Sequence, residues 1–254
     1  MARKITVNKL VRLNLIATAL HFIQAVAVYL LSKDFSLPIS GSFLRFNNST
    51  QQLEPASKVL FNLSLPSLIV IFFVLSSIAH LVVATLYKKK YADNLAAGIN
   101  KARWLEYSLS ASVMIVAIGL LVGIYDVSSL LMMFALTAIM NLMGLVMEVH
   151  NQTTKKTNWL CFNIGSLSGI IPWAVVAGYL WLGASDGSKA PTFVYWIFVS
   201  IFVFFSCFAL NMFMQYKKVG RWKDYLYGER MYIILSLVAK SLLAWQVFAG
   251  TLRP

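Results

Sequence analysis

"LSLVAKSLLAW", Leu235 to Trp245, sets an ammonium side chain, Lys240, in the middle of an apolar run. A charge at the centre of a bilayer costs about 3 kcal/mol even on the mildest insertion scale, so such a residue is a functional hypothesis by default. Counted along the surrounding run, Lys240 lies roughly 16–20 Å from either end, too far for its stem to snorkel. It is therefore neutral, paired with an acid, or covalently modified. A desolvated lysine is the residue type that forms Schiff bases with carbonyl compounds.

The rest of the chain has the same character. Of 254 residues, 59% are hydrophobic, 14% aromatic and only 12% charged, well below the roughly 25% charged of a soluble domain. This composition predicts a membrane protein. The net charge of +13 comes from short basic clusters between apolar runs, which favours anionic lipid headgroups over nucleic acid. The opening "MARKITVNKLVRLNLIATAL" runs on apolar to Leu31 with no small-residue cleavage pattern, and reads as an uncleaved first span. Cys161 and Cys207 fall inside predicted spans, where no structural disulfide is expected.

A span takes about 20 apolar residues. Seven such stretches are predicted, at approximately 8–31, 60–87, 97–124, 127–149, 158–183, 192–217 and 226–251. Between the first two, "KDFSLPISGSFLRFNNSTQQLEPASK" alternates apolar and polar residues around a glycine, which predicts a small β-hairpin. Sixteen of the 22 basic residues, from Arg3, Lys4, Lys9 and Arg12 to Lys217, Lys218, Arg221, Lys223 and Arg230, fall on one side. The positive-inside rule makes that side, and the amino terminus, cytoplasmic. The carboxy terminus is then extracellular.

Among the nine acids, only Glu106 in "ARWLEYSLSASVMI" is expected deep inside a span, at the depth of Lys240. A lone buried carboxylate protonates and hydrogen-bonds a neighbouring helix, whereas one beside a fixed cation stays ionised. Ser236 lies one helical turn before Lys240 and on its face, although serine is also ordinary packing material between helices. Two histidines are intramembrane: His21 with Gln24 three residues on, and His80 with Ser76 four residues before. Each pair shares a helix face, and each histidine is either a proton acceptor or a structural polar contact. Pro172 and Trp173, Trp245 and the run "FVYWIFVSIFVFFSCF" would wall a flat apolar ligand, or simply face lipid or core. "GSLSG", Gly165 to Gly169, fits close helix approach, either within the chain or between copies.

Seven spans, a lysine in the seventh and a carboxylate in the third resemble a microbial rhodopsin. The inverted orientation, with "RWLEYSLSASVMI", "HFIQ", "GIIPW" and "YLYGERMYIILSLVAKSLLAWQVFAGTL", resembles the heliorhodopsins over essentially the whole chain. The fold this implies is an all-α membrane protein, a single seven-helix retinal-binding transmembrane domain over 1–254. The resemblance implies all-trans retinal as a protonated Schiff base on Lys240, Glu106 as counterion and Ser236 nearby. It places Tyr107, Met114, Trp173, Phe202 and Phe205 against the chromophore, and His21, Gln24, Ser76 and His80 in a proton-accepting polar cavity. It further implies a homodimer, a cell-membrane location and a light sensor with a slow photocycle that signals to a cytoplasmic partner. No enzymatic motif is seen.

A vectorial pump needs a proton acceptor on one side of the Schiff base and a donor on the other, and the acids supply Glu106 alone. A proton that leaves towards His21 and His80 returns by the same route. The alternative is a light-gated proton or cation conductance, with Arg103, Glu148, Glu229 and Arg230 lining its cytoplasmic half. A third class, an enzyme or transporter that uses Lys240 and Glu106 as an ion couple without a chromophore, loses its support if retinal binds.

Overall fold

A computed structural model describes residues 5–253. Seven helices are long and apolar enough to cross a membrane: α1 (Val7–Leu31), α2 (Leu65–Ala84), α4 (Lys101–Leu121), α5 (Val127–His150), α6 (Leu160–Ser185), α7 (Thr192–Tyr216) and α8 (Tyr225–Val247), the last continued by a π-helical turn, Phe248–Leu252. They close into a ring in which α1 packs on α2 and α8, α2 on α4, α4 on α5, α5 on α6, and α7 on α8. The most enclosed of the seven is α4. Helix starts are fixed by side chains that accept orphan backbone N–H groups: Thr6, Ser64, Asn100, Asp126 and Asp224. The Ser129 N–H first of all, with Ser42 of the hairpin adding to it, holds the Asp126 carboxyl below the usual carboxylate range.

The predicted hairpin is present and longer than expected. β1 (Ser36–Asn47) and β2 (Gln52–Ser64) pair antiparallel from Ser36 opposite Ser64 to Asn47 opposite Gln52, with a register shift between Ile39 and Ser40. The prediction of helix from residue 60 is therefore corrected: 60–64 are strand. "VLFNLS" is a short apolar run that periodicity alone assigns to neither state. Ser64 settles the boundary, since it ends β2 and caps α2, whose second residue is Pro66. Ile39 is buried in the core, and the Ser40 N–H donates to the Tyr125 carbonyl, so the base of the hairpin is pinned to the bundle.

One further helix, α3 (Lys88–Ala96), lies between α2 and α4, where the sequence suggested only a basic cluster. Its Tyr91 and Leu95 are buried and its lysines exposed. By alternation of the spans, this helix and most of the basic clusters share one end of the bundle, the basic end, opposite the hairpin end. Arg3 and Lys4, counted with the basic clusters, lie outside the described residues.

Lipid tails are as apolar as leucine, so close packing rather than water exclusion joins the spans. Small residues provide it. A Cβ on Gly144 would sit 2.5 Å from the Trp104 ring, and one on Gly169 2.3 Å from the sulfur of Met140. Gly165 likewise meets Met143. The small-residue stripe of "GSLSG" is thus used inside the chain, joining α6 to α5.

Candidate functional site

Helical side chains lean towards the amino terminus of their helix, so Lys240 of α8 points back towards the basic end. Its Nζ donates to Ser236 Oγ at 2.7 Å and to Glu106 Oε1 at 2.8 Å, with both charged side chains nearly inaccessible. Ser76 of α2 donates to the same Glu106 oxygen at 2.6 Å. Glu106 and Ser236 thus meet at the Lys240 nitrogen, where the sequence reading placed them, while Ser76, expected beside His80 in the polar cavity, joins the pair through the carboxylate.

Beside Lys240 and Ser236 lies a narrow cavity of about 40 Å³, lined by Tyr107, Ser110, Met114, Met140, Asn141, Phe205, Phe208 and Ala239 among others. Tyr107 passes beneath Lys240, its ring centroid 5.3 Å from Nζ, and its hydroxyl donates to the Tyr232 carbonyl at 2.9 Å. Of the aromatic candidates, Tyr107 and Phe205 line the cavity, together with Met114. Trp173 and Phe202 form the layer behind, with Trp173 edge-on to Phe205 at 5.3 Å and to Phe202 at 5.4 Å. Phe208 ends the aromatic run already named as a possible wall, whereas Ser110, Met140 and Asn141 are additions that the sequence reading missed. Ser110 was within reach of it, being one turn beyond Glu106 on the same face.

Towards the basic end the surroundings turn polar. His80 Nδ1 lies 2.6 Å from Asn14 Oδ1, and the His80 ring stacks on His21 with centroids 5.6 Å apart. Both nitrogens of His21 and Nε2 of His80 are buried without a hydrogen-bond partner among the described residues. A second small cavity, about 30 Å³, is lined by Asn14, His80, Tyr91 and Glu106 together with Asn100, Arg103 and Glu229. Gln24 does not join this group: its amide donates to the Leu20 carbonyl, and its oxygen accepts from Trp245 Nε1 at 3.0 Å.

Glu106 is the one acid set deep along a span, as expected, but it is not the one buried acid. Glu148 of α5 and Glu229 of α8 are also buried, and both clasp Arg103 of α4. Arg103 Nη2 lies 2.5 Å from Glu148, and Nη1 bonds Glu229. Asn100 donates its backbone N–H to Glu148 and its side-chain amide to Glu229, while Trp104 Nε1 donates to Glu148 at 2.7 Å. The guanidinium lies 3.8 Å from the Tyr232 ring centroid. These residues sit within a turn or so of their helix ends, so linear depth gave no sign of their burial. Arg230, grouped with them as a pore lining, is exposed and faces α1 instead.

The heliorhodopsin family profile matches residues 10–252. The chain belongs to the heliorhodopsin family. Membership implies a retinal chromophore and a membrane setting, and the cavity of this heliorhodopsin has a lining whose chemistry suits one. One primary amine at the end of an aromatic and aliphatic cavity is the donor set a long polyene aldehyde requires. Its fold is that of the microbial rhodopsins. A solved structure titled as a light-driven proton pump from Leptosphaeria maculans superposes with a TM-score of 0.65 over 97% of this chain and 96% of that one, at 14% identity. At that identity the likeness concerns the fold alone. Comparison with curated proteins gives no match.

Proposed function

We propose that this heliorhodopsin is a light sensor that carries all-trans retinal on Lys240 as a protonated Schiff base, completes a slow photocycle and moves no ion across the membrane. Bound retinal would supply absorption of a visible photon and the isomerisation that follows. The chain's residues do the rest. Glu106 and Ser236 hold the proton at the Lys240 nitrogen, Ser76 orients the carboxylate, and Tyr107, Met114 and Phe205 enclose the cavity.

The observation that carries the reading is the one-sided distribution of buried ionisable groups, since the buried polar residues beyond Glu106, among them Ser110, Ser112, Thr137 and Asn141, are neutral hydroxyls and an amide. Ser76, His80, His21, Asn14 and the Arg103 cluster all lie at the level of Glu106 or towards the basic end. Towards the hairpin end the bundle is filled by Phe72, Ile69, Leu65, Ile115, Ile118, Leu243 and Val247. Wherever a proton goes from Glu106, it goes and returns on one side. His21 and His80, stacked and short of partners, are the proposed acceptors.

With the basic end cytoplasmic, as the positive-inside rule favours, the photocycle would be read out by a cytoplasmic partner. The homodimer implied by the family resemblance has the hairpin as its candidate surface, where Phe43, Phe46, Leu60 and Phe61 are exposed. With retinal-loaded protein oriented in sealed vesicles, steady illumination is expected to leave the external pH unchanged. A sustained gradient that a protonophore collapses would establish a pump and end the sensor reading.

Glu106 is open to a separate check. Its negative charge stabilises positive charge on the nitrogen end of the chromophore, and so stabilises the dark state more than the excited state. Glu106→Gln is therefore expected to move the protonated visible band to longer wavelength. An unmoved band removes Glu106 as the counterion.

A further inference from the structure

At the basic end, outside the chamber and its polar route, lies a surface cavity of about 420 Å³ between the α5–α6 loop and the α7–α8 connection. Three lysines line it, Lys155, Lys218 and Lys223, and no acid does. Among the described residues none of the three has an ion-pair partner. The nearest acid in sequence, Asp224, is occupied in capping α8, where it accepts from the Leu226 N–H at 3.0 Å. The walls are held in place: Tyr216 donates to the Met147 carbonyl, Tyr225 to Glu148, and Trp222 Nε1 to Asn211 at 2.6 Å.

The backbone of Lys218 is the second observation. It follows the C-cap of α7 with φ at +52°, and its N–H and that of Val219 return to the Gln215 and Met214 carbonyls. This is the left-handed helix stop that glycine ordinarily fills. A lysine there carries backbone strain, and strain of this kind clusters at binding sites. The position is spent on a charge at the rim of the cavity.

We propose that this cavity binds a phosphate-bearing ligand, with Lys155, Lys218 and Lys223 as its cation set. Ammonium groups recognise phosphate as point charges, and the hydroxyl and amide groups between them supply further donors. The site stands independently of the chromophore, so dark-state protein suffices to test it.

The test is calorimetric titration of pyrophosphate into full-length protein in discs of phosphatidylcholine, repeated in discs containing phosphatidylglycerol. Lys218→Gly removes one contact while relieving the backbone strain, so the variant is expected to keep its thermal stability and lose roughly tenfold in affinity. Lys88→Ala removes an equal charge from α3 at the same end, away from the cavity, and is expected to bind as the parent does. Pyrophosphate binding in both kinds of disc supports a soluble phosphate ligand. Binding only in the neutral discs supports occupancy by a lipid phosphate. Equal affinity in Lys218→Gly and the parent, or no binding in neutral discs, overturns the proposal and leaves the lysines as a diffuse attraction for anionic lipid.

Discussion

Lys240→Ala is expected to abolish the visible absorption band completely on addition of retinal. Lys240 is the one lysine lining the central cavity, and an imine requires a primary amine. The substitution also strands Glu106, whose side chain is only 6% exposed, against Ser76 alone. Breaking one half of a buried ion pair costs about 3–5 kcal/mol, so absence of colour in this variant has misfolding as a second explanation. Lys240→Arg separates the two. It keeps a cation against Glu106 and cannot form an imine, so a folded, monodisperse and colourless protein is expected. Visible absorbance that bleaches with hydroxylamine in either variant would sink the assignment of Lys240.

That site was legible in the sequence because its logic is one of exclusion. A lysine and a carboxylate placed mid-span have few reasons to be there, and each supplied the other's reason. Ser236 followed from helical spacing to Lys240, whereas spacing tied Ser76 only to His80, and the structure sets it on the Glu106 carboxylate. Other features were out of reach for identifiable causes. The Arg103 cluster consists of residues near helix ends, where charges are cheap, and only the convergence of α4, α5 and α8 encloses them. The strand at 60–64 was lost because a short apolar run leading into a helix carries no boundary of its own. Gln24 shares a face with His21 by spacing alone, but its carbonyl is claimed by Trp245 from α8. The glycines of "GSLSG" fitted either packing within the chain or contact between copies, and the methionines of α5 that fill them come from a different span.

Arg103→Ala is the substitution expected to cost most in stability. The guanidinium is the sole cation between two buried carboxylates, Glu148 at 2% and Glu229 at 1% side-chain exposure. Its removal leaves both facing only the neutral donors Asn100, Trp104 and Tyr225. A loss of about 3–5 kcal/mol is expected on the measured scale for broken buried pairs, read as a large drop in the thermal unfolding midpoint of purified protein. Arg103→Lys keeps the charge but replaces a planar fork with a point donor, so it should lie between the parent and alanine. Because one cation faces two acids, neutralising either acid alone, in Glu148→Gln or Glu229→Gln, should cost less than removing the arginine. Unfolding of Arg103→Ala at the parent temperature would show that the cluster does not hold the basic end together. A spectral consequence follows through contact. The guanidinium stacks on Tyr232, whose carbonyl accepts from the Tyr107 hydroxyl, and Tyr107 lies under the Lys240 nitrogen. Displacing Tyr232 therefore loosens the floor of the chamber, and folded Arg103→Lys is expected to show a shifted visible band while Lys240, Glu106 and Ser236 are all unchanged.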